Sequence, residues 1–333
     1  MWPTRTEADR QCRESARTRR RRAGTVRRVA VTRADIVEAA ARIAPHIRHT
    51  PCITLEVGDT ALPVVCKLES LQVTGSFKPR GAVNSLLRTD ATHVVACSGG
   101  NHGLAVAWAA QHLGRQATVV VPASAAATKV AAMRRAGAEV IQHGDVPGEA
   151  FLRAEEIVAE RGWPLIHPYD QEPTIEGQGT VGLELVDDAP TVTHWLVAVG
   201  GGGFPAGVAL ALEGSAAEVV PIEPEGCPSL FEAQRAGGPV ATKAEGIART
   251  SLGPPSLGKL AWEILRDRVP TSVLVRDTAI ADAQRWLWNE ARIVAEPGGA
   301  TTMAALLSGA WTPPEGATVG LVICGGNADE LPS

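Results

Sequence analysis

Thr74-Gly75-Ser76-Phe77-Lys78-Pro79-Arg80-Gly81 is the stretch around which the rest of the chain is organised. The sequence holds five lysines, Lys67, Lys78, Lys129, Lys243 and Lys259, against 27 arginines. A chain that uses Arg wherever a surface cation will serve leaves each Lys as a candidate for chemistry that only an amine can do. An amine can lose its proton and condense with a carbonyl, whereas a guanidinium stays charged. Pro79 suits the first turn of a helix, and the residue before a proline is pushed toward extended geometry. The stretch therefore predicts a helix with Lys78 at its start, beside the positive end of the helix dipole, where the ammonium form is disfavoured. A surface lysine on a turn has the same local signature, so the decision falls to the remainder of the chain.

Outward from this stretch the pattern is regular. Thr32-Arg33-Ala34-Asp35 opens a helix running to about Ile43, with Thr32 as N-cap and Asp35 at the capping-box position. Leu62–Leu68 reads as a strand ahead of the Lys78 loop, and the helix beyond that loop reaches about Leu87. Strands at His93–Ala96, Ala117–Val121 and Glu139–Gln142 each lead into a helix, and Pro164–His167 reads as a further strand. A loop over Pro168–Gly179 and a short helix near Val181–Leu185 precede the apolar strand Trp195–Val199. Later come helices near Ala206–Leu212, Leu260–Leu265, Asp277–Ala291 and Ala300–Leu307, and strands at Val219–Ile222, Ser272–Val275 and Thr318–Cys324. Short β-branched runs alternating with helices imply parallel sheets with right-handed crossovers, hence two α/β lobes with a cleft between them.

Composition narrows the field. A chain of 333 residues with 45% hydrophobic and 20% charged residues and a net charge of −4 has the make-up of a soluble globular protein. The weakly acidic balance argues against nucleic acid as the main partner. No apolar run has the length needed to cross a membrane. The six cysteines contain no C-x-x-C pair, so free thiols in a reducing cytoplasm are expected. Residues 1–30 stand apart: ten arginines crowd a segment without apolar periodicity, which reads as a disordered basic tail.

Four turns could carry chemistry. Gly200, Gly201, Gly202 and Gly203 join a buried strand to a helix, where convergent N–H groups and the helix dipole suit an anion. A phosphate monoester fits, but Gly201-x-Gly203-x-x-Ala206 with Glu223 about twenty residues on also matches the dinucleotide fingerprint. Ser98-Gly99-Gly100-Asn101-His102-Gly103 either binds a carboxylate or is a plain helix cap. Cys324, before Gly325-Gly326-Asn327, stands at a strand's carboxyl end, where ligand sites gather, or is a buried structural thiol. Glu296-Pro297-Gly298-Gly299 is a strand-to-helix turn whose glutamate is either a solvated cap or a site residue.

Together these pieces resemble a family. Ser76-Phe77-Lys78-x-Arg80-Gly81, the Ser98–Gly103 loop, Gln178-Gly179-Thr180 with Gly182-x-Glu184, the tetraglycine turn, Glu223-Pro224-Glu225-Gly226, Glu296-Pro297-x-Gly299 and Cys324-Gly325-Gly326-Asn327 occur in that order. The chain from about Val31 to Asn327 resembles the pyridoxal-phosphate enzymes of fold type II, and most closely the threonine/serine dehydratases. The resemblance implies two open twisted α/β lobes with mainly parallel sheets, tryptophan synthase β-like: residues 31–91 and 165–333 as the large cofactor-binding domain, 92–164 as the small one. It implies pyridoxal 5'-phosphate as cofactor, bonded covalently by Lys78, which later moves the α-proton. Gly200 to Gly203 hold its phosphate, Phe77 packs near its ring, Asn101 hydrogen-bonds its 3-oxygen, Cys324 faces its pyridine nitrogen, and Glu296 lines the same site. Ser98, Gly100, Asn101 and His102 receive the carboxylate of an amino-acid substrate. The expected reaction is β-elimination from a 3-hydroxy amino acid, with threonine and serine first in mind, in a cytoplasmic homodimer.

Departures from the family sharpen this. Related serine racemases carry a second serine where this chain has Gly99, which cannot move a proton, so racemisation is disfavoured. Metal-binding members place a carboxylate where Ser229 stands, so no metal is expected at Glu223. The sequence closes soon after Asn327, so the C-terminal regulatory domain of biosynthetic threonine deaminases is not expected. Two readings compete with the dehydratase: a nicotinamide-dependent dehydrogenase using Gly201 to Ala206 and Glu223, and a non-catalytic metabolite-binding protein.

Overall fold

The computed structural model describes residues 31–58 and 61–328, so the basic tail expected over residues 1–30 lies outside the described residues. In chain order the helices are α1 (Arg33–Ile43), α2 (Lys78–Leu87), α3 (Asn101–His112), α4 (Ala127–Arg135), α5 (Pro147–Arg161), α6 (Glu172–Asp188), α7 (Gly203–Ala211), α8 (Ser229–Ala236), α9 (Arg249–Leu252), α10 (Lys259–Leu265), α11 (Asp277–Ala291) and α12 (Pro297–Leu307). The strands are β1 (Cys52–Val57), β2 (Leu62–Leu68), β3 (His93–Cys97), β4 (Gln116–Val121), β5 (Glu139–Gln142), β6 (His194–Ala198), β7 (Glu218–Pro224), β8 (Val273–Val275) and β9 (Val319–Ile323).

Two sheets result. The larger has the order β1-β2-β9-β6-β7-β8, and the smaller β3-β4-β5. Every pairing is parallel except β1 with β2, which is antiparallel and closes one edge. Both sheets follow from the alternation of strands and helices, because a parallel neighbour requires a crossover that covers a face. In the small sheet the side-chain period of two is visible directly. Val94, Ala96 and Val119 enter the core shared with α2, α3 and α4, whereas Val95 and Val120 pack on Ala150, Ala154 and Ile157 of α5. All of β9 is buried, as befits an inner strand. α1 begins as read: Thr32 N donates to Asp35 Oδ2 at 2.8 Å and Asp35 N to Thr32 Oγ1 at 3.4 Å, completing the capping box.

The structure corrects the sequence reading in two places. Pro164–His167 contributes only an isolated bridge, Val95 to Leu165, beside the small sheet. The loop expected over Pro168–Gly179 is largely helix, since α6 starts at Glu172 and runs through Gly177, Gly179 and Gly182. Each internal glycine weakens a helix by roughly 1 kcal/mol against alanine. Here Gly179 and Gly182 let α7 come into backbone contact, while Gly177 admits the backbone of α2, where a Cβ would stand 2.3 Å from Arg80 O. A Cβ on Gly207 would stand 2.7 Å from Gly179 N.

Candidate active site

Segments that leave the C-terminal ends of β3, β6 and β9 converge on one cleft with the start of α2, where ligand sites of open α/β sheets form. The Lys78 loop is fastened to the end of the chain. Ser76 forms an antiparallel bridge to Gly325, Phe77 N donates to Cys324 O at 3.1 Å, and Gly326 N donates to Gly75 O at 2.8 Å. Asn327 Nδ2 adds a bond to Thr74 O at 2.8 Å. The approach is close enough that a Cβ on Gly75, which has φ +77°, would lie 2.3 Å from Asn327 Oδ1.

This clasp fixes where α2 begins. Phe77 takes helical angles (φ −60°, ψ −17°), so Lys78 is already the first helical residue and the extended geometry expected before Pro79 does not set in. Lys78 Nζ donates to Pro168 O at 2.8 Å and lies 4.9 Å from the centre of the Phe77 ring, which stacks on Phe204 at 4.1 Å. Burial lowers the pKa of Lys78 to about 8, against the smaller opposing pull of Cys324 and Glu296. At pH 7 about a tenth of the amine is then neutral, some hundreds of times the fraction in a free lysine. Uptake of an aldehyde cofactor by the apoprotein is accordingly expected to speed up with pH and level off near pH 8. Stopped-flow absorbance checks this; a rate still climbing at pH 10 contradicts it.

Most of the remaining expected site residues meet here. Ser98, Asn101, His102, Gly200 to Gly203, Glu296 and Cys324 all line the cleft with Phe77 and Lys78. Asn101 opens α3 and is held from both sides: its Nδ2 donates to Glu296 Oε1, and its Oδ1 accepts from Asn327 Nδ2 at 2.8 Å. One amide hydrogen of Asn101 is left over from these two bonds. Glu296 is the N-cap residue of α12, 5% exposed, so it is a site residue and not a solvated cap. Cys324 is 4% exposed and its thiol donates to Gly298 O at 3.4 Å. Burial foremost, and then the Glu296 charge, raise its pKa, which keeps it a neutral thiol.

Two residues depart from expectation. The His102 imidazole Nε2 sits 2.8 Å from Ile166 O, and burial, reinforced by the Lys78 charge, pushes its pKa down to about 3. The ring is neutral and its N–H points at Ile166, so only the backbone amide of His102, in the first turn of α3, is left for an anion. Gly100 stands outside the cleft, beside a neighbouring hollow with Leu104 and Lys129, and its N–H donates to Ser98 Oγ at 3.2 Å.

Glu223 does not serve a dinucleotide. It is wholly buried, and its carboxylate accepts from Leu230 N at 2.7 Å, Phe231 N at 2.8 Å and Ser229 Oγ at 3.2 Å, capping α8. Ser229 Oγ also lies 2.5 Å from Gly200 O, tying this cap to the tetraglycine turn. The ribose-binding role that the Gly201–Ala206 spacing suggested is therefore excluded by orientation.

The sequence reading missed Tyr169 and the segment Arg249–Pro254, both of which line the cleft. The aromatic residue of Pro168-Tyr169-Asp170 was a usable signal. Arg249–Pro254 gave none, because four helical residues carry no periodicity.

Such a cleft, with a poised amine and a glycine turn at a helix start, defines an enzyme built around an aldehyde-and-phosphate cofactor. The family model for "Pyridoxal-phosphate dependent enzyme" matches residues 43–325. The chain is 35% identical over 307 residues to the L-threonine ammonia-lyase of Thermotoga maritima, covering 90% of this chain and 76% of that one. It is equally 35% identical over 310 residues to the serine racemase of Oryza sativa subsp. indica, covering 89% and 90%. Among solved structures, a pyridoxal 5'-phosphate-dependent aspartate racemase superposes with a TM-score of 0.85 at 33% identity, covering 92% of this chain and 99% of that one. This chain belongs to the pyridoxal-phosphate-dependent enzymes, in the fold type II architecture, and its cofactor is pyridoxal 5'-phosphate.

The cleft fits that cofactor on its own chemistry. It offers a half-buried amine of lowered pKa and, at another wall, the first amides of α7 behind a turn in which Gly202 takes φ +86°. A Cβ on Gly203 would stand 2.2 Å from Tyr169 O, so the turn is closed to side chains and presents N–H groups to an anion.

Proposed function

We propose that this chain is an ammonia-lyase, removing the β-hydroxyl of a 3-hydroxy amino acid, the class that includes L-threonine and L-serine, to give a 2-oxo acid and ammonia. The bound cofactor supplies the electron sink that makes the α-proton removable. Lys78 holds the cofactor and, as a free amine, takes that proton at Nζ. Ser98 and the first amides of α3 receive the substrate carboxylate, and Phe77 supports the ring. The glycine turn at 200–203 holds the phosphate. In this reading residues 92–164 act as the small lobe that presents the carboxylate loop.

The observation that carries the reaction type is the neutral Cys324 thiol, 4% exposed with its hydrogen directed at Gly298 O. Were the cofactor's ring nitrogen to face this thiol, the thiol would not force a proton onto it, and the sink would be weaker than one paired with a carboxylate. Elimination tolerates a weak sink, because charge on the α-carbon is discharged at once as the hydroxyl departs. Racemisation needs a longer-lived charge and a proton carrier on the second face. The rice serine racemase, at 35% identity, favours that second reading. Against it, position 99 carries no side chain, and a Cβ there would be crowded by Ala125 at 3.2 Å.

The test is a panel of L-3-hydroxy amino acids assayed for both 2-oxo acid and D-enantiomer. Release of 2-oxo acid should outrun D-amino acid with every substrate that reacts. A D-enantiomer formed faster than the 2-oxo acid would overturn the proposal.

A further inference from the structure

One wall of the cleft is used neither by the cofactor nor by the carboxylate loop. The segment 241–256 leaves the fold and returns to it at a narrow neck, where Ala241 bridges Ser256 and Thr242 N donates to Pro255 O at 2.9 Å. Two tethers hold its body: Glu245 N to Gly226 O at 2.9 Å, and Ile247 N to Asp277 Oδ2 at 3.1 Å. Its far end is α9, which abuts three site turns at once. A Cβ on Gly100 would stand 3.3 Å from Thr250 O, one on Gly200 3.2 Å from Leu252 Cα, and one on Gly298 2.6 Å from Ser251 Oγ. α9 therefore lies over the space between the carboxylate loop and the tetraglycine turn, and Arg249 opens it at the cleft mouth.

The charges in this cleft are nearly all accounted for. Lys78 is committed to the cofactor, His102 and Cys324 are neutral, and Glu296 accepts from Asn101. Arg249 lines the same cleft, is exposed, and among the described residues its guanidinium has no carboxylate or hydrogen-bond partner. The two anions already expected in the site have their own donors, the amides of α3 and those of α7. What remains for a guanidinium fork is a third anion, and a carboxylate matches that fork with two parallel bonds.

We propose that Arg249 determines specificity by pairing with a carboxylate beyond the β-carbon, so that the preferred substrate is a 3-hydroxy amino dicarboxylate such as 3-hydroxyaspartate. This rests on the ammonia-lyase reading for its reaction, though not for its binding step. The experiment uses the holoenzyme and its Arg249→Met and Arg249→Lys variants with 3-hydroxyaspartate, serine and threonine. A second readout, independent of turnover, is the change in the cofactor's visible band on titration with L-aspartate or L-alanine, which lack the hydroxyl.

Wild type should favour 3-hydroxyaspartate, and Arg249→Met should lower the ratio of its kcat/KM to that of serine by about 10- to 100-fold, the worth of a charged hydrogen-bonded pair. Arg249→Lys should retain part of the preference, and L-aspartate should bind wild type more tightly than L-alanine does. A wild type that prefers serine or threonine overturns the inference and leaves the lyase reading standing. Equal losses on all substrates, which would assign Arg249 to the α-carboxylate, overturn it too. So does weakened cofactor affinity with the substrate ratio unchanged, which would assign it to the phosphate. If no 2-oxo acid forms from any substrate, the lyase reading fails, and the aspartate-over-alanine preference and its loss in Arg249→Met still decide the role of Arg249.

Discussion

Replacing Lys78 with alanine is expected to lower 2-oxo acid release by at least about 10³-fold, because under the proposed function the variant loses both the covalent anchor and the proton carrier. The visible band of the bound cofactor should vanish with it, while the fold should persist. Lys78 Nζ makes one hydrogen bond, to Pro168 O at 2.8 Å, and no carboxylate pairs with it among the described residues. Burial makes its ammonium form costly in the folded apoprotein, and its pKa drops from 10.5 to about 8. Removing the amine should therefore raise the stability of the apoprotein at neutral pH. That advantage is full below pH 8, where the amine is charged in folded and unfolded chains alike. It shrinks as pH rises from about 8 toward 10.5, a range in which the unfolded chain binds more protons and wild-type stability climbs. Thermal melts of apo wild type and Lys78→Ala across this range check the sign; an apo variant less stable than wild type at pH 7 would contradict it.

The second large effect lies two residues along the same helix. Arg80 and Glu69 are both fully buried and paired twice, Nη2 to Oε1 at 2.7 Å and Nε to Oε2 at 2.8 Å. Arg80 also reaches Glu184 at 2.7 and 2.9 Å, so its five N–H groups tie the turn after β2 to α6. Glu184 bonds Lys67 Nζ at 2.6 Å, and Lys67 in turn reaches Thr50 O at 2.7 Å and Asp188 at 2.8 Å. Arg80→Met keeps the stem but strands the Glu69 carboxylate in the interior without its guanidinium. Breaking one side of a buried pair in this way costs about 3–5 kcal/mol. Urea unfolding of apo wild type and variant reads that loss from the midpoint, and a loss under about 1 kcal/mol would show that the pair is not sealed from water. The cluster also sets an acid limit. Burial pushes the Glu184 pKa up, but the bonds and charge of Arg80 and Lys67 outweigh it and hold it below 4.5. Its contribution to stability is complete above that value and is lost as pH falls through the lower folded one.

What could be read beforehand follows from how local each feature is. The βα units around β3, β4 and β5 stood in the sequence because a buried parallel strand is a continuous β-branched run and its helix keeps a period near 3.6. The capping box at Thr32 and the start of α2 at Lys78 were equally local. α6 is hidden in the sequence since Pro173, Gly177 and Gly179 are helix breakers on their own, and only the backbones of α2 against Gly177 and α7 against Gly179 make the glycines an asset. β1 went unnoticed although Ile53, Leu55 and Val57 alternate with the exposed Thr54 and Glu56, a period-two signal that was present in the sequence and is completed by antiparallel pairing with β2.

The site divides in the same way. Lys78, Asn101, the glycine turn and Cys324 were marked by composition and by their positions at strand ends. That Asn101 is gripped by Glu296 and Asn327, far along the chain, is a property of the fold alone. Glu223 shows the limit most plainly. Its spacing from Gly203 suits a ribose, yet α8 begins six residues further along the chain, and the carboxylate accepts from the first N–H groups of that helix.

The account rests on one covalent bond, and one measurement meets it directly. The holoenzyme is reduced with borohydride, digested, and its peptides mapped by mass spectrometry. A pyridoxyl adduct on Lys78 is the predicted result. An adduct on Lys67, Lys129, Lys243 or Lys259, or no adduct in a protein that has taken up the cofactor, would contradict the account.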